Sequence, residues 1–379
     1  MEEITFRLRT VTPLFMSGAD QNEAELRPPS IKGTLRFWYR AMVGEEGLQK
    51  EKEIFGSTET GQGSFLIRIA KPPSIKNDRK EVGQGIGYMG YGPVGRNLRK
   101  VVFQRSYIDA NESFEVLIAL RNSAYKEDIL KSFWLLVNFG GLGARSRRGF
   151  GSIQVEEVSG DTQGISFIGD VKTASDQAIY LNNGLKVIFD EIKPSAQPIP
   201  KYSAFSRETK IWVYEINKTG WQSSMENVGQ KFQRYRSNRV SSGQNMPFPN
   251  DYKTVHDYMD EGTISRCPER AIFGLPHNYF SSRRRRNKEK IFQSSFTGER
   301  HERRASPLIF HFFELKEGMV GTIITYLKSA FLCGNEQIKA VNIRKKNRIN
   351  EQLINIPDYQ PIENFISCLI PKPIEVTIP

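Results

Sequence analysis

The residues best suited to chemistry in this chain concentrate in residues 138–151, which read NFGGLGARSRRGFG. Five glycines and three arginines fall within residues 140–151, and no acidic residue lies between Asp128 and Glu156. Glycine allows the backbone to turn sharply and to approach a ligand closely, and arginine presents a planar fixed charge that matches phosphate. We therefore predict that this glycine-arginine segment lies against a polyanion. Its candidate contact residues are Gly141, Gly143, Arg145, Arg147 and Arg148.

A second basic feature precedes it, in the segment PPSIKGTLRFWYRA at residues 28–41. Its cations recur at every fourth residue, so a helix would align them on one face. No acidic residue lies between Glu25 and Glu45, although a solvated helix face usually mixes both signs. The prolines predict a helix start here, and a helix N-terminus offers N–H groups to an anion. We favour a phosphate-binding stripe over an ordinary solvated face. The candidate residues of this stripe and its helix start are Arg27, Ser30, Lys32, Arg36 and Arg40.

The segment Gly83–Gly95 holds six glycines and contains Gly85-Ile86-Gly87-Tyr88-Met89-Gly90, which matches the dinucleotide-binding pattern of a Rossmann fold. That pattern has meaning only between a strand and a helix, and the following Tyr91-Gly92-Pro93 is a poor helix start. We therefore predict a loop or hairpin here and no dinucleotide site. Tyr88 and Tyr91 could stack on bases. The basic residues that follow and join the candidate set are Arg96, Arg99 and Lys100.

Two further basic clusters lie in the second half of the chain. Residues 281–304 carry nine basic and three acidic residues, a net charge of +6. A run of four arginines needs solvent or partners, so this cluster is either a disordered loop or a contact for RNA or an acidic protein. The candidate residues here are Arg234 and Arg236, at a basic helix end, and Arg283, Arg284, Arg285 and Arg286.

The composition narrows the class of partner. The chain has 379 residues, 54 Lys and Arg against 42 Asp and Glu, and a net charge of +12. This excess favours nucleic acid over a membrane, because no apolar run approaches the roughly 18 residues of a spanning helix. The N-terminus lacks the pattern of a signal peptide, and three scattered cysteines indicate neither disulfides nor a zinc site. We expect a cytoplasmic protein with no cofactor and no bound metal.

Catalytic signatures are weak. The four histidines, at positions 256, 277, 301 and 311, have no metal-ligand spacing, and we predict structural or surface roles for them. No phosphate-binding P-loop, GxSxG or HExxH pattern occurs. A metal-independent ribonuclease would need a general base and acid near the glycine-arginine segment. For that alternative, His256, His277 and Tyr107 are the only candidates.

Hydrophobic periodicity predicts the elements that must position these residues. Strands are expected at 4–11, 65–69, 100–103, 113–120 and 152–155, and helices at 30–43 and 126–139 with Gly140 at the C-terminal end. This order is that of the split βαβ, ferredoxin-like or RRM-like unit. In the second half we predict strands at 210–216, 308–315 and 319–324, and helices at 222–239 and 361–369. The predicted class is α+β, with two ferredoxin-like βαββαβ domains at 1–160 and 165–379 and an irregular basic insertion at about 241–305.

Two stretches carry a family resemblance. Residues 12–18, TPLFMSG, and residues 26–41, LRPPSIKGTLRFWYRA, resemble the opening of the RAMP superfamily of CRISPR proteins. The Ser-x-Lys-Gly-x-x-Arg core is matched by Ser30, Lys32, Gly33 and Arg36, and residues 139–151 are similar to the glycine-rich signature of that superfamily. Within it, the form of residues 36–40 and the chain length most resemble a RAMP subunit of the type III-B (Cmr) RNA-silencing effector. Residues 273–276 also fit.

The resemblance implies two ferredoxin-like folds and a role in binding guide RNA and its target RNA beside other RAMP subunits of a Cmr complex. It also implies that target cleavage belongs to a different subunit, so that this chain would be a non-catalytic RNA-binding part. Two alternatives stay open: a metal-independent endoribonuclease that processes guide precursors, and a purely scaffolding subunit whose basic surfaces meet acidic partners.

Overall fold

The computed structural model describes residues 1–45, 47–190, 199–237, 247–281, 292–344 and 347–378. The chain divides into two compact units. Unit 1 comprises Met1–Gln230, Ile309–Lys328 and Ile370–Pro379, and unit 2 comprises Lys231–Leu308 and Ser329–Leu369. Each unit is therefore assembled from separate stretches of chain, and the domain boundary predicted near residues 160–165 stays a prediction.

The α-helices of the described residues are α1 (Pro28–Val43), α2 (Glu51–Phe55), α3 (Gln84–Met89), α4 (Lys126–Phe139), α5 (Ala174–Ile188), α6 (Gly220–Arg236), α7 (Asp251–Glu261) and α8 (Gln360–Ser367). The strands are β1 (Glu2–Thr10), β2 (Gly56–Ser57), β3 (Gly61–Gln62), β4 (Phe65–Lys71), β5 (Glu81–Val82), β6 (Val94–Asn97), β7 (Lys100–Phe103), β8 (Ser113–Leu120), β9 (Ile153–Ser159), β10 (Lys210–Tyr214), β11 (His277–Phe280), β12 (Gln293–Gly298), β13 (Leu308–Glu314), β14 (Val320–Tyr326), β15 (Ile338–Arg344), β16 (Asn347–Ile354) and β17 (Ile374–Val376).

The first sheet of unit 1 has the strand order β4-β8-β1-β9, and each neighbouring pair is antiparallel. Helix α1 therefore connects the parallel strands β1 and β4, and α4 connects the parallel strands β8 and β9. Strand β1 alternates as the sequence predicts, with Ile4, Phe6 and Leu8 fully buried. These side chains pack with α1 and α4 in one hydrophobic core. The predicted bounds of β7, β8 and α4 match those of the structure.

The second sheet of unit 1 has the order β13-β14-β10-β17. By chain position its strands run second, third, first, fourth, which is also the order of the first sheet. Helix α6 follows the first strand of this sheet, and α8 precedes its fourth. Unit 2 holds a four-stranded antiparallel sheet, β11-β12-β15-β16. The chain is therefore a mixed α/β protein with several antiparallel sheets, as its α+β class predicted.

Three local predictions differ from the structure. Within the predicted loop at 83–95, residues 84–89 form α3. The segment 241–305, expected to be irregular, contains α7, β11 and β12 among its described residues. Helix α5 was not predicted, although Thr173 and Asp176 form a capping box at its start, a readable sequence signal. No helix in the described ranges is long and apolar enough to cross a membrane.

Candidate nucleic-acid interface

Helix α1 and the glycine-arginine segment form the walls of a cleft of about 280 Å³ in unit 1. Three of the predicted contact residues, Ser30, Gly141 and Arg147, line this cleft together. Phe37 and Trp38 of α1 complete it with aromatic surface. The fold thus brings together two sequence motifs that are more than a hundred residues apart, and we call this cleft the α1 cleft.

Arg147 supplies the positive charge of the α1 cleft. Its guanidinium carbon lies 4.9 Å from the centre of the Phe37 ring, a cation–π arrangement that holds the side chain against the helix. Its backbone carbonyl accepts a hydrogen bond from the Phe310 amide at 3.1 Å. Strand β13 therefore fixes the backbone and Phe37 steadies the side chain, so the charge is presented at a defined place.

The glycines of the segment are explained by contacts within the chain. Gly143 has a φ of +80°, and a Cβ there would lie 2.3 Å from the Phe15 carbonyl oxygen. A Cβ at Gly141 would lie 2.9 Å from the Phe150 carbonyl oxygen. A larger residue at either position would need the backbone to move. Both glycines thus allow the segment to fold tightly upon itself and its neighbours, and their predicted approach to a polyanion stays a prediction.

Strand β13 also anchors the start of the segment. His311 is a buried residue, and its Nδ1 atom lies 2.7 Å from the Gly140 carbonyl oxygen. Burial lowers the pKa of His311 to about 4 although the hydrogen bond to Gly140 opposes this. Nearby, Ser152 accepts from the Phe312 amide and donates to the Gly149 carbonyl, at 3.0 Å each. The segment is therefore held at both ends by β13.

The other two arginines of the segment lie outside the lining of the α1 cleft. Arg145 has a φ of +62°, and its guanidinium carbon lies 5.8 Å from the ring centre of the exposed Tyr91. Arg148 is half-buried, and its amide donates to the Arg145 carbonyl at 2.8 Å. Tyr91, one of the two tyrosines predicted to stack on bases, therefore lies beside the guanidinium of Arg145.

The cationic stripe of α1 does have a counter-charge, so the expectation of an unopposed stripe is wrong. Glu51 of α2 is 6% exposed and pairs with both Arg36 and Arg40. Its Oε1 atom lies 2.6 Å from Nη2 of Arg40, and its Oε2 atom lies 2.8 Å from Nε. Burial alone would raise the pKa of Glu51, but the hydrogen bonds from the two arginines outweigh it and lower that pKa. Glu51 lies only 11 residues beyond Arg40 in the sequence, and the turn between α1 and α2 places it next to the arginines of α1.

Lys32 of the same stripe is directed toward the strand below α1. Its ammonium donates to the Phe65 carbonyl at 3.3 Å and lies 4.7 Å from the centre of the Phe65 ring. Burial lowers the pKa of Lys32, and the charges of Arg121 and Arg36 lower it further. Lys32 thus lies half-buried against β4 rather than along a solvated row.

The start of α1 does not provide the predicted anion site. The helix begins at Pro28 and Pro29, which carry no N–H group. The next two amides, of Ser30 and Ile31, both donate to the Arg27 carbonyl, at 3.0 and 3.1 Å. The first turn, all of it described, therefore has no free N–H. Nε of Arg27 lies 3.7 Å from a carboxylate oxygen of Glu25.

The basic residues after the Gly83–Gly95 segment lie on an exposed hairpin of β6 and β7. Arg96 donates to the Gln84 amide oxygen at 3.2 Å, and Lys100 lies 2.6 Å from a carboxylate oxygen of Glu81. Arg99 is exposed near the tip beside Leu98, which is 96% exposed. All three cations of this group are exposed.

The Rossmann-like pattern forms a docking contact between helices. The amides of Gly85 and Ile86 at the start of α3 both donate to the Glu226 carboxylate of α6 at 3.0 Å. A Cβ at Gly85 would lie 2.3 Å from the Glu226 carbonyl oxygen. A carboxylate of this same chain thus takes the place that a phosphate holds in a dinucleotide site, and the glycines let the two helices meet.

The remaining basic candidates belong to unit 2 or lie outside the described residues. Arg234 is exposed at the end of α6. The guanidinium carbon of Arg236 lies 5.4 and 5.3 Å from the ring centres of Phe232 and Phe273. Residues 283–286 fall outside the described residues.

The three residues considered for ribonuclease chemistry lie in settings that suit other roles. Tyr107 is buried, and its hydroxyl donates to Asp78 at 2.8 Å. His277 is half-buried, and desolvation lowers its pKa well below the ordinary value. His256 packs against Tyr252, with ring centres 4.1 Å apart. Across the described ranges no cluster of three His, Cys, Asp or Glu side chains could hold a metal ion.

Sequence reasoning missed three residues that shape this interface: Phe37, Glu51 and His311. Phe37 lies in the motif itself, and its position beside the basic helix face was a readable signal. Glu51 lies six residues beyond Glu45, where the interval searched for acids ended. His311 is 171 positions from Gly140, and no local pattern signals that contact.

Comparison with known proteins agrees with this geometry. Residues 7–154, which contain the first sheet, α1 and the glycine-arginine segment, match the model of the RAMP superfamily. The chain is 29% identical over 180 residues to the CRISPR system Cmr subunit Cmr1-2 of Pyrococcus furiosus, covering 41% of this chain and 96% of that protein. It is 25% identical over 324 residues to Cmr1-1 of the same organism, covering 81% of this chain and 82% of that protein.

The fold is similar to that of a solved relative along nearly the whole chain. The crystal structure of apo Cmr1 from Pyrococcus furiosus aligns with a TM-score of 0.59 and 20% identity, covering 99% of each chain. This similarity of fold extends well beyond residue 154, where the match to the RAMP superfamily model ends. Residues 7–154 therefore resemble the RAMP superfamily, and the proteins that the chain is similar to are named as Cmr1 subunits of the CRISPR system.

Proposed function

We propose that this chain is a non-catalytic RNA-binding subunit of a type III-B CRISPR effector, the Cmr complex. It would contact the backbone of guide RNA, target RNA or both, beside other RAMP subunits and in the cytoplasm, with no membrane partner. The observation that carries the proposal is the α1 cleft, where Ser30, Gly141 and Arg147 meet next to Phe37. The similarity to proteins named as Cmr subunits supports the assignment to this complex.

The chemistry of the α1 cleft suits a single RNA strand. A guanidinium held over an aromatic ring offers a charge for phosphate and a flat surface for a base. Arg145 of the same segment repeats this pairing with Tyr91, which lies outside the segment. Because the α1 cleft offers charge and aromatic surface, we expect binding that tolerates sequence and depends steeply on salt.

The strand order supports the finer fold proposal. Both sheets of unit 1 have the same order, and in each a helix follows the first strand and another precedes the fourth. We propose that each sheet is the core of a ferredoxin-like unit of the split βαβ type. In the second of these ferredoxin-like units, the residues of unit 2 other than those of α6 and α8 would be insertions into that plan.

Fluorescence anisotropy with labelled single-stranded RNA across a salt series tests the RNA-binding role. Arg147→Ala should weaken binding to all sequences alike and reduce the slope of log K against log salt by about 0.7, the value for one lost contact to single-stranded RNA. Arg207→Ala removes an exposed arginine of unit 1 outside the candidate set and is the matched control. Equal affinity and slope for wild type and Arg147→Ala would refute this use of the α1 cleft.

Two other results would favour the rival functions. Failure of the chain to bind RNA, alone or with partner subunits, would favour a scaffold. Discrete cleavage products from precursor RNA in EDTA would favour the endoribonuclease, and then loss of cleavage in Tyr107→Phe would identify its hydroxyl as part of the chemistry.

A further inference from the structure

A second cleft of unit 1, of about 270 Å³, shares no lining residue with the α1 cleft. The end of α4, strand β9, residues 167–171, α5 and the end of β13 surround it. Three of its polar lining residues are almost fully buried: Asn138 is 7% exposed, Gln177 is 5% exposed and His311 is 2% exposed. We call it the α5 cleft.

His311 presents a hydrogen-bond acceptor to the α5 cleft. The Gly140 carbonyl can only accept, so the Nδ1 atom of His311, 2.7 Å away, must carry the proton. Burial lowers the pKa of His311 to about 4, so the ring is neutral at pH 7. Its Nε2 atom is then an acceptor, and it has no hydrogen-bond partner among the described residues. A ligand here must offer an N–H or O–H group.

Gln177 presents a buried amide to the same cleft from α5. Within the described part of the chain, its side chain makes no hydrogen bond. An amide offers a donor and an acceptor side by side, and buried polar groups are ordinarily paired. The α5 cleft therefore holds two unpartnered polar side chains, from elements far apart in the sequence, directed at one space.

The rest of the lining combines polar side chains, among them Asn138 and Gln154, with apolar and aromatic ones. Phe167, Tyr180 and Phe313 contribute rings, and Val137 and Val155 contribute aliphatic surface. Of the two charged lining residues, Glu314 is paired with Arg9 at 2.7 Å, and Lys316 is exposed. The interior thus favours a neutral flat ring system over an anion.

We propose that the α5 cleft binds a nucleobase. A base is planar and apolar on its faces, and it carries a donor next to an acceptor along one edge. The donor would go to Nε2 of His311, and Gln177 would complement the neighbouring group. A cleft of about 270 Å³ lies just below the usual range of roughly 300–1,000 Å³ for ligand sites, which suits one ring system rather than a length of chain.

The base could come from two sources: a free nucleoside, or an unpaired base turned out of a bound RNA. Only the second source rests on the proposed RNA-binding function. The shared chemistry, one base edge read by a histidine nitrogen and an amide, is the same for both.

Isothermal titration of the full chain with adenosine, guanosine, cytidine and uridine, and with ribose as a control, tests the proposal. At least one nucleoside should bind saturably with a Kd near ~1 mM, and ribose should not. Gln177→Leu should weaken that binding about tenfold by removing a buried hydrogen bond. Asn183→Leu, an exposed position on the same helix, should leave it unchanged. Val171→Phe, which narrows the cleft from another element, should abolish it.

Absence of saturable binding by any nucleoside up to about 10 mM, or equal affinity of wild type and Gln177→Leu, would overturn the proposal and leave water as the partner of the two side chains. If single-stranded RNA displaces the nucleoside, the base comes from RNA. If RNA binds without displacing it, the ligand is a free nucleoside. If RNA does not bind at all but the nucleoside does, the RNA-binding function fails while the α5 cleft stands.

Discussion

The imidazole of His311 holds the Gly140 carbonyl at 2.7 Å, and so ties the glycine-arginine segment to a strand of the second sheet. Phe310, one position before it, binds the Arg147 carbonyl with its backbone amide. The segment that carries the candidate RNA contacts is thus set in place by a part of the chain that no motif search would join to it.

This relationship predicts a pH dependence of stability. Burial lowers the pKa of His311 to about 4, below the value near 6.5 of an unfolded histidine. Between these values the unfolded chain binds the proton and the folded chain does not, so stability falls as the pH drops from about 6.5 to 4, by up to roughly 3 kcal/mol from this group. Glu314 and Lys316 are the charged residues that line the same cleft.

Urea unfolding at several pH values measures this effect. We expect His311→Gln to be less stable than wild type at pH 7 and to show a flatter loss of stability between pH 6.5 and 4.5. If the stability of His311→Gln falls with pH as steeply as that of wild type, the titration of other groups dominates the acid sensitivity of the protein. His301→Gln, at an exposed histidine of unit 2, is the control.

Glu51→Gln tests whether the α1 stripe contributes to RNA binding. The change removes the negative charge that Arg36 and Arg40 share while keeping the shape of the side chain. Two arginines would then lack their counter-charge, so RNA affinity should rise and its salt dependence should steepen. The free energy of unfolding should fall by about 1–3 kcal/mol, because a buried charged hydrogen-bond partner is lost.

Glu59→Gln is the matched control, because Glu59 is an exposed partner of Lys52 and such surface pairs contribute little. Unchanged RNA affinity in Glu51→Gln, with the expected loss of stability, would remove the α1 stripe from the interface. The α1 cleft and Arg147 would not be affected by that result.

Gly143→Ala tests the structural account of the glycine-arginine segment. Gly143 and Gly164 have similar positive φ angles, +80° and +77°. A Cβ at Gly143 meets the Phe15 carbonyl, whereas a Cβ at Gly164 meets nothing within 4 Å. Gly164→Ala should cost about 1 kcal/mol of backbone strain, and Gly143→Ala should cost several times more. Thermal unfolding of the two variants measures the difference, and equal midpoints would contradict the account.

Glu226→Gln tests the contact that replaced the predicted dinucleotide site. Both carboxylate oxygens accept backbone amides at the start of α3, and an amide side chain can replace only one of them. We expect a loss of about 1–2 kcal/mol and faster hydrogen exchange at Gly85 and Ile86. Exchange rates equal to those of wild type at these two amides would show that the carboxylate does not hold α3.

Much of the first sheet and its helices could be predicted because their signals are local. Strand β8 and helix α4 were placed to the residue, since alternation and a 3.6-residue period extend over their whole length. The α1 cleft was predicted in part, because its basic and glycine residues stand out in the sequence.

What could not be predicted depends on contacts between distant residues. The pairing of Glu51 with the stripe requires the turn after α1, and the α5 cleft requires Gln177 and His311 to meet from separate elements. In unit 2, strand β15 pairs with β12 across an intervening stretch of chain, and β16 pairs with β15. Short strands of mixed polarity give little local signal, so this sheet was not seen in the sequence.

The two sheets of unit 1 have the same strand order, but their strands are completed at different times during synthesis. The first sheet has all its strands once residue 159 has left the ribosome, whereas the second needs residues 374–376 for its last edge. Because N-terminal parts of a chain fold first as they emerge, the glycine-arginine segment must wait for β13 of the later sheet before His311 can hold it. The candidate RNA-binding surface should therefore be among the last parts of unit 1 to reach its final form, after most of its own residues have already folded.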